Sequence, residues 1–454
     1  MAKKRRSRSK RNVQNCKILL PDNLDLQGLV NQYPPTFKCD IGFLVHLVGI
    51  CISIGAYNPN LITKDGFVPF SSTLLQRKNA LYNKHLKYLV DLGVLQVINN
   101  YKVGEKCKQY RIGEKFLSNK LKEVTIENKY LDQQMKVQIS AKKKYNSLFK
   151  WFNNLNIDSE SATEYTLNEL ELKKDKEYYQ SYSAAYTKLY KIDMIKNQVF
   201  WFHKDIFGKR LHTNLTNIDS SLKQFIKYEN ESLISLDLKN SQPFLSLKLL
   251  QTQPLNTPYP IMLLKPSHII DNEDVIRYIN LVCCGNFYSY FEEEIRKDLG
   301  AQFFEKEFRY DFKKAQLLHN NLDPISMTKL EMFSIFFSKN EYQTATKELF
   351  KSRFPTVMGI FESYKAGTGN KYKELSKALQ RLESHVFLDT IVPAITQAYP
   401  ETPIFTIHDS IVTTIGNEQK IKEIMVQCIE AEIGYSPSIK LEYWIPPERQ
   451  IMAA

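Results

Sequence analysis

Hydrophobic and polar positions along the chain change pattern twice. Near the start, Phe43, Leu44, Leu47, Val48 and Ile50 recur at helical spacing. The triplet Ser71-Ser72-Thr73 offers a hydroxyl cap for a second helix, and Leu81, Leu86, Leu89 and Val90 mark a third that Gly93 stops. Val94 to Ile98 and Gln109 to Ile112 then alternate on either side of a turn bearing Gly104. Helices closed by such a hairpin predict a winged-helix-like domain over 35–118. Its basic residues Arg77, Lys78, Lys84 and Lys87 fall on or beside the third helix, where domains of this kind meet DNA or, in other cases, protein. Residues 119–199 are rich in Lys, Glu and Tyr with helical periodicity and few core stripes, which predicts a helical connector. From Phe200 short strands alternate with long helices, the pattern of an α+β domain over 200–454.

Composition narrows the classes. The formal charge is +13, and the basic tail at 1–15, predicted to be disordered, carries about +7 of it, leaving roughly +6 for the rest. A polyanion is the partner such a balance favours. The seven cysteines are scattered, odd in number and without a CxxC pair, so neither a disulfide framework nor a zinc site is indicated. No long apolar run occurs and no apolar stretch follows the basic N-terminus, which predicts a cytoplasmic or otherwise intracellular protein, not secreted and with no membrane span.

Two segments present carboxylates. Ser232 to Asp237 reads as an alternating strand that delivers Asp237 at its end, and a helix starts beyond it. Ile404 to Thr414 reads as a β-hairpin with His408 and Asp409 in its turn. Two carboxylates on separate strands, brought side by side, can hold a pair of Mg²⁺ ions for phosphoryl transfer, since magnesium is satisfied by few protein carboxylates plus phosphate oxygens. Either residue alone also reads as an ordinary turn or cap. Between them Lys329, Phe333 and Phe337 recur every fourth residue and share one helical face. That face suits a triphosphate at the lysine and a sugar and base at the rings; it also suits a core helix with a snorkelling lysine.

Taken in order, Asp237-x-x-x-Ser241-Gln242, then Lys329-x-x-x-Phe333-x-x-x-Phe337, then His408-Asp409-Ser410 resembles motifs A, B and C of the family A DNA polymerases and the single-subunit RNA polymerases of phage and mitochondrial type. Gly208-Lys209-Arg210-Leu211-His212-Thr213 resembles the element preceding motif A, and Gln380 to His385 the helix before motif C. The resemblance spans about 200 to 420. It implies a right-hand polymerase with palm, fingers and thumb-like helices, the last at 119–199. It further implies Asp237 and Asp409 as catalytic metal ligands for two Mg²⁺ ions, with Mn²⁺ as a substitute, and Lys329 as the triphosphate cation. Phe333, Phe337 and Gln242 would line the nucleotide, while Arg210, Gln380 and His408 would touch template or primer. The implied partners are a DNA template with a DNA or RNA primer strand and nucleoside triphosphates.

Some positions depart from the pattern. Gln242 stands where the DNA enzymes have a glutamate, Phe337-Ser338 where a tyrosine and glycine are usual, Ile325 where an arginine is expected, and Ser410 where the DNA enzymes have a second acid. Losing both the tyrosine hydroxyl and the glutamate implies loose choice between rNTPs and dNTPs. The sequence leaves open an RNA polymerase or primase, a DNA polymerase, a winged-helix replication initiator or regulator with an inactive polymerase-like domain, and another magnesium-dependent phosphoryl-transfer enzyme such as a nuclease.

Overall fold

A computed structural model of the chain describes residues 15–98, 107–127, 144–251, 272–304 and 323–446. The basic tail and the turn bearing Gly104 lie outside the described residues. The chain divides into two compact units: the described residues of 1–137, 157–201 and 217–225, and those of 138–156, 202–216 and 226–454.

The first unit is built around the helix Ile41–Tyr57, whose Phe43, Leu44, Leu47, Val48 and Ile52 are buried. Burial all round marks it as a central helix. Asp40 caps it by accepting from the Phe43 amide at 3.2 Å. Its partner in the core is Tyr178–Lys196, which approaches so closely that a Cβ at Gly55 would collide with Thr187. Thus helices expected in a separate connector share one core with the first predicted helix. Ser72–Lys78 and Tyr82–Asp91 follow, the first capped by the Ser71 hydroxyl. Gly93 ends the run at φ 71°, a conformation cheap only without a side chain. Leu95–Ile98 and Gln109–Ile112 pair antiparallel, and Val68–Pro69 adds a third strand on the far side of Gln109–Ile112. A further strand pair, Asn15–Pro21 with Leu121–Glu127, joins segments about a hundred residues apart.

The second unit is a mixed α+β body. Its central strand, Glu231–Leu238, lies between Ser410–Thr414 and Ile439–Tyr443, antiparallel to both. Ile404–Ile407 continues the sheet beyond Ser410–Thr414. The alternation expected in the central strand is absent: Leu233, Ile234, Ser235 and Leu236 are all buried. The strand is covered on both faces, so no side of it needs to be polar. One cover is Glu418–Ile433, where Ile421, Met425, Ile429 and Ile433 form a single buried stripe. Around the sheet stand Ser241–Gln251, Glu273–Cys283, Phe287–Leu299, Pro324–Phe337, Ala345–Arg353, Pro355–Tyr364 and Glu374–Ser384. Several of these close on an aromatic cluster of Tyr278, Phe287, Phe350, Phe354 and Phe361. No helix among the described residues is long and apolar enough to cross a membrane.

Candidate active site

Strand register brings the two aspartates together. Asp237 is directly opposite Ser410, and the Leu238 amide donates to the Asp409 carbonyl at 3.1 Å. Asp409 therefore sits beside Asp237 at the same end of the sheet. Two residues connect the hairpin strands, His408 and Asp409, and His408 adopts φ 52°. Asn240, just past the central strand, has φ 52° as well. Left-handed backbone at non-glycine residues is uncommon and concentrates where geometry serves a site.

Burial pushes the Asp409 carboxyl above the usual carboxylate range and the Asp237 charge adds to it, against its own amide, the Ser241 hydroxyl and Arg210. Two acids held close in this way gain from a shared cation. Among the described residues no group of three or more His, Cys, Asp or Glu side chains is arranged to hold a metal, and the Ser235 hydroxyl lies within hydrogen-bond reach of both Asp237, at 3.0 Å, and Glu442, at 3.4 Å. Several polar atoms around the aspartate pair are buried without hydrogen-bond partners: Asn240 Nδ2, Gln242 Oε1, His408 Nδ1 and Ser410 Oγ. Native interiors satisfy such atoms. Their gathering on the two aspartate-bearing segments fits a site completed by ions and substrate, and magnesium's preference for a few carboxylates plus phosphate oxygens fits the donor set.

The loop from Asp205 to Arg210 is locked from inside and outside. The Asp205 carboxylate accepts from the Gly208 amide at 2.6 Å and the Arg210 amide at 2.9 Å. On its outer side Ser384 donates to the Gly208 carbonyl at 2.8 Å, and a Cβ at Gly208 would stand 2.5 Å from Gln380 Oε1. Gln380 thus touches the loop that carries Arg210. The Arg210 guanidinium forks onto Glu383 through Nε at 2.6 Å and Nη2 at 2.7 Å, and Gln242 donates to the same carboxylate at 2.8 Å. Glu383 is 1% exposed on its side chain, and burial pushes it up to about 7, with Arg210 opposing and Asp409 reinforcing the rise. His408 lies with its ring 5.4 Å from His212, and burial together with Arg210 and His212 pushes it down to about 4, leaving it neutral at pH 7.

Lys329 and Phe333 lie on the exposed face of Pro324–Phe337, while Met327, Thr328, Met332, Ile335 and Phe336 supply its buried face. The three-residue stripe is therefore not the core of the helix. The Phe333 and Phe337 rings are 5.5 Å apart, with Phe337 half-buried at the last helical position. Below this end two buried lysines serve as caps. Lys347 donates to the carbonyls of Lys339 at 2.8 Å and Tyr342 at 3.0 Å, and Lys365 to that of Ile335 at 2.7 Å. Lys329 Nζ stands 5.5 Å from the Tyr288 ring, and Tyr288 in turn feels the Asp409 charge.

Of the residues singled out in the sequence, Asp237, Asp409, His408, Arg210, Gln242 and Gln380 are joined by direct contacts or through Glu383 and the Gly208 loop. The contact that Lys329 makes is with the Tyr288 ring. Phe333 and Phe337 are tied to Lys329 by their helix. Glu383 and Tyr288 are additions that the sequence motifs do not mark. Glu383 follows Gln380 by three residues and so shares its helical face, a signal that was available. For Tyr288 the local pattern carries none.

No family model matches the chain, and no curated protein matches it. Among solved structures it is similar to the POL domain of Pol1 from M. smegmatis in complex with DNA primer-template and dNTP, with 11% identity and a TM-score of 0.37 over 61% of this chain. The match spans 55% of that chain, little more than half its length.

Proposed function

We propose that the chain is a template-directed nucleotidyltransferase that adds nucleotides to a 3′-hydroxyl, as an RNA polymerase or primase or as a DNA polymerase. The observation that carries this reading is the register of Asp237 against Ser410, which sets two acids from distant segments side by side among unsatisfied polar groups. In this reading the sheet is the palm, the helix Pro324–Phe337 belongs to the fingers, and the unit holding Ser72–Lys78 and Tyr82–Asp91 is a winged helix for template or duplex DNA.

Asp237 and Asp409 would hold two Mg²⁺ ions, or Mn²⁺ in their place, which when bound activate the 3′-hydroxyl and stabilise the pyrophosphate leaving group. The chain's own residues do the rest. Lys329 neutralises charge growing on the triphosphate, an interaction stronger in the transition state than in the ground state. Neutral His408 offers a hydrogen-bonding ring to the primer end. Arg210 is committed to Glu383, so it positions the surrounding segments more than it clamps one phosphate. Gln242 gives its amide to Glu383, which fixes the side chain where a sugar-excluding residue is expected from the motif resemblance.

The test is incorporation of labelled nucleotides on primed and on unprimed template, with rNTPs and dNTPs supplied separately and magnesium required. Extension in any of the four arms supports the reading and assigns the subclass. No incorporation in all four, with nucleic acid still bound, leaves an initiator or regulator with an inactive domain.

A further inference from the structure

The helix Glu374–Ser384 carries a basic ridge. Lys373 at its start, Lys377 and Arg381 recur every fourth residue and share one face, at steps of ~6 Å. Lys371 precedes them, and between 371 and 381 these four cations meet one acid, Glu374, which pairs with Lys377 at 2.7 Å. Two aromatic rings lie against the cations. The Lys339 and Lys373 ammoniums stand 5.7 and 5.6 Å from the centre of the Tyr372 ring, and that of Lys377 stands 5.2 Å from the centre of Phe207. Phe207 is 38% exposed and its neighbour Ile206 80%. The backbone around both rings is tied down. Arg381 Nε donates to the Phe207 carbonyl at 3.1 Å, Ser384 to that of Gly208, and buried Lys347 holds the Lys339 carbonyl at 2.8 Å. A face that only meets solvent has no use for rings held in place among cations.

We propose that this ridge is a binding track for an unpaired nucleic-acid strand, with phosphates on Lys371, Lys373 and Lys377 and bases stacked on Tyr372 and Phe207. The chemistry selects that partner. The cations answer a polyanion. The rings answer free base faces, which a single strand offers and a duplex keeps inside its own stack. Neither kind of contact reads sequence. A strand along the ridge passes Phe207 on the loop that leads to Arg210 and His212, and the His212 ring lies 5.4 Å from that of His408, the neighbour of Asp409. The track therefore suits the unpaired template. In that role it rests on the nucleotidyltransferase reading; as a strand-binding site it does not.

The experiment measures fluorescence anisotropy of labelled oligothymidine, oligouridine and a blunt DNA duplex with the full chain across a salt series. It compares wild type with the triple variant Lys371→Gln, Lys373→Gln, Lys377→Gln, and with Tyr372→Ala, Phe207→Ala and Tyr372→Phe, each checked for an unchanged melting temperature. Arg381 is left in place because it holds the loop. The triple variant is expected to lose single-strand affinity at low salt, with the salt slope falling by about two units, ~0.7 for each of three phosphates. Each ring-to-alanine variant should weaken single-strand binding by roughly fivefold or more without moving the slope, whereas Tyr372→Phe keeps wild-type affinity because the ring face does the stacking. Loss with oligothymidine assigns a DNA strand, and loss confined to oligouridine an RNA strand. An unchanged slope in the triple variant, wild-type affinity in both alanine variants, or losses as large on the blunt duplex would each overturn the track. Binding that depends on these residues in a chain that extends no primer would leave the track standing and remove the nucleotidyltransferase reading alone.

Discussion

In the first unit Arg77, Lys84 and Lys87 stand exposed on two short helices, whereas in the second Lys347 and Lys365 are buried against carbonyls and Arg210 is forked onto a buried acid. Exposed cations lose little hydration and can follow a flexible polyanion; their attraction is long-ranged and screened by salt. Buried charges are costly to place and tolerate no rearrangement once placed. One unit thus presents mobile charge and the other fixed charge, and the contrast can be broken at several points.

The largest expected effect on the fold is at Glu383. Replacing it by Ala leaves the Arg210 guanidinium and the Gln242 amide without their acceptor and should destabilise the second unit by about 3 kcal/mol, the scale for removing one partner of a buried pair. Chemical denaturation measures this, and a midpoint within error of wild type would show that Arg210 finds water instead.

Next comes Lys329→Ala, expected to lower kcat/KM for nucleotides by roughly ten- to a hundredfold while stability is unchanged, because the side chain is exposed and the hydrogen bond proposed for it to phosphate would be charge-assisted. Unchanged kcat/KM would make the helix merely structural.

Buried Lys365 gives a pH-dependent effect. Burial, with Lys347 beside it, pushes Lys365 down to about 7 from its ordinary 10.5. The unfolded chain then binds more protons than the folded one between those values, so the Lys365 contribution to stability rises as pH climbs from about 7 toward 10.5 and is flat below. The difference in unfolding free energy between wild type and Lys365→Met should follow that rise. A difference independent of pH over this window would mean that the amine is hydrated.

Smallest is the effect of the exposed cations. Replacing Arg77, Lys84 and Lys87 together by Ala should reduce DNA affinity mainly at low salt and flatten the salt dependence by about one unit of slope for each phosphate no longer neutralised. An unchanged slope would assign this face to a protein partner.

Much of the candidate site was legible because its signals are local. An acid at a strand end and an acid in a two-residue hairpin turn are visible as short alternating runs around Asp237 and Asp409. The helical face of Lys329, Phe333 and Phe337 is visible as a four-residue spacing. What escaped depends on distant partners. Glu383 matters because Arg210, far away in the chain, folds onto it. Lys347 and Lys365 are buried although lysine composition points outward, since the carbonyls that receive them come from other segments. The strand pairing Asn15–Pro21 with Leu121–Glu127 and the shared core of Ile41–Tyr57 with Tyr178–Lys196 escaped for the same reason: neither partner carries a mark of the other.

The central claim is that Asp237 and Asp409 act as one metal-holding pair, and single-turnover extension of a primed template by wild type, Asp237→Asn and Asp409→Asn tests it most directly, with DNA affinity measured on the same preparations. Either substitution is expected to lower the rate by roughly a thousandfold or more, the several kcal/mol that metal-assisted charge stabilisation supplies, while DNA affinity stays within about threefold. Near-normal extension by either variant would contradict it.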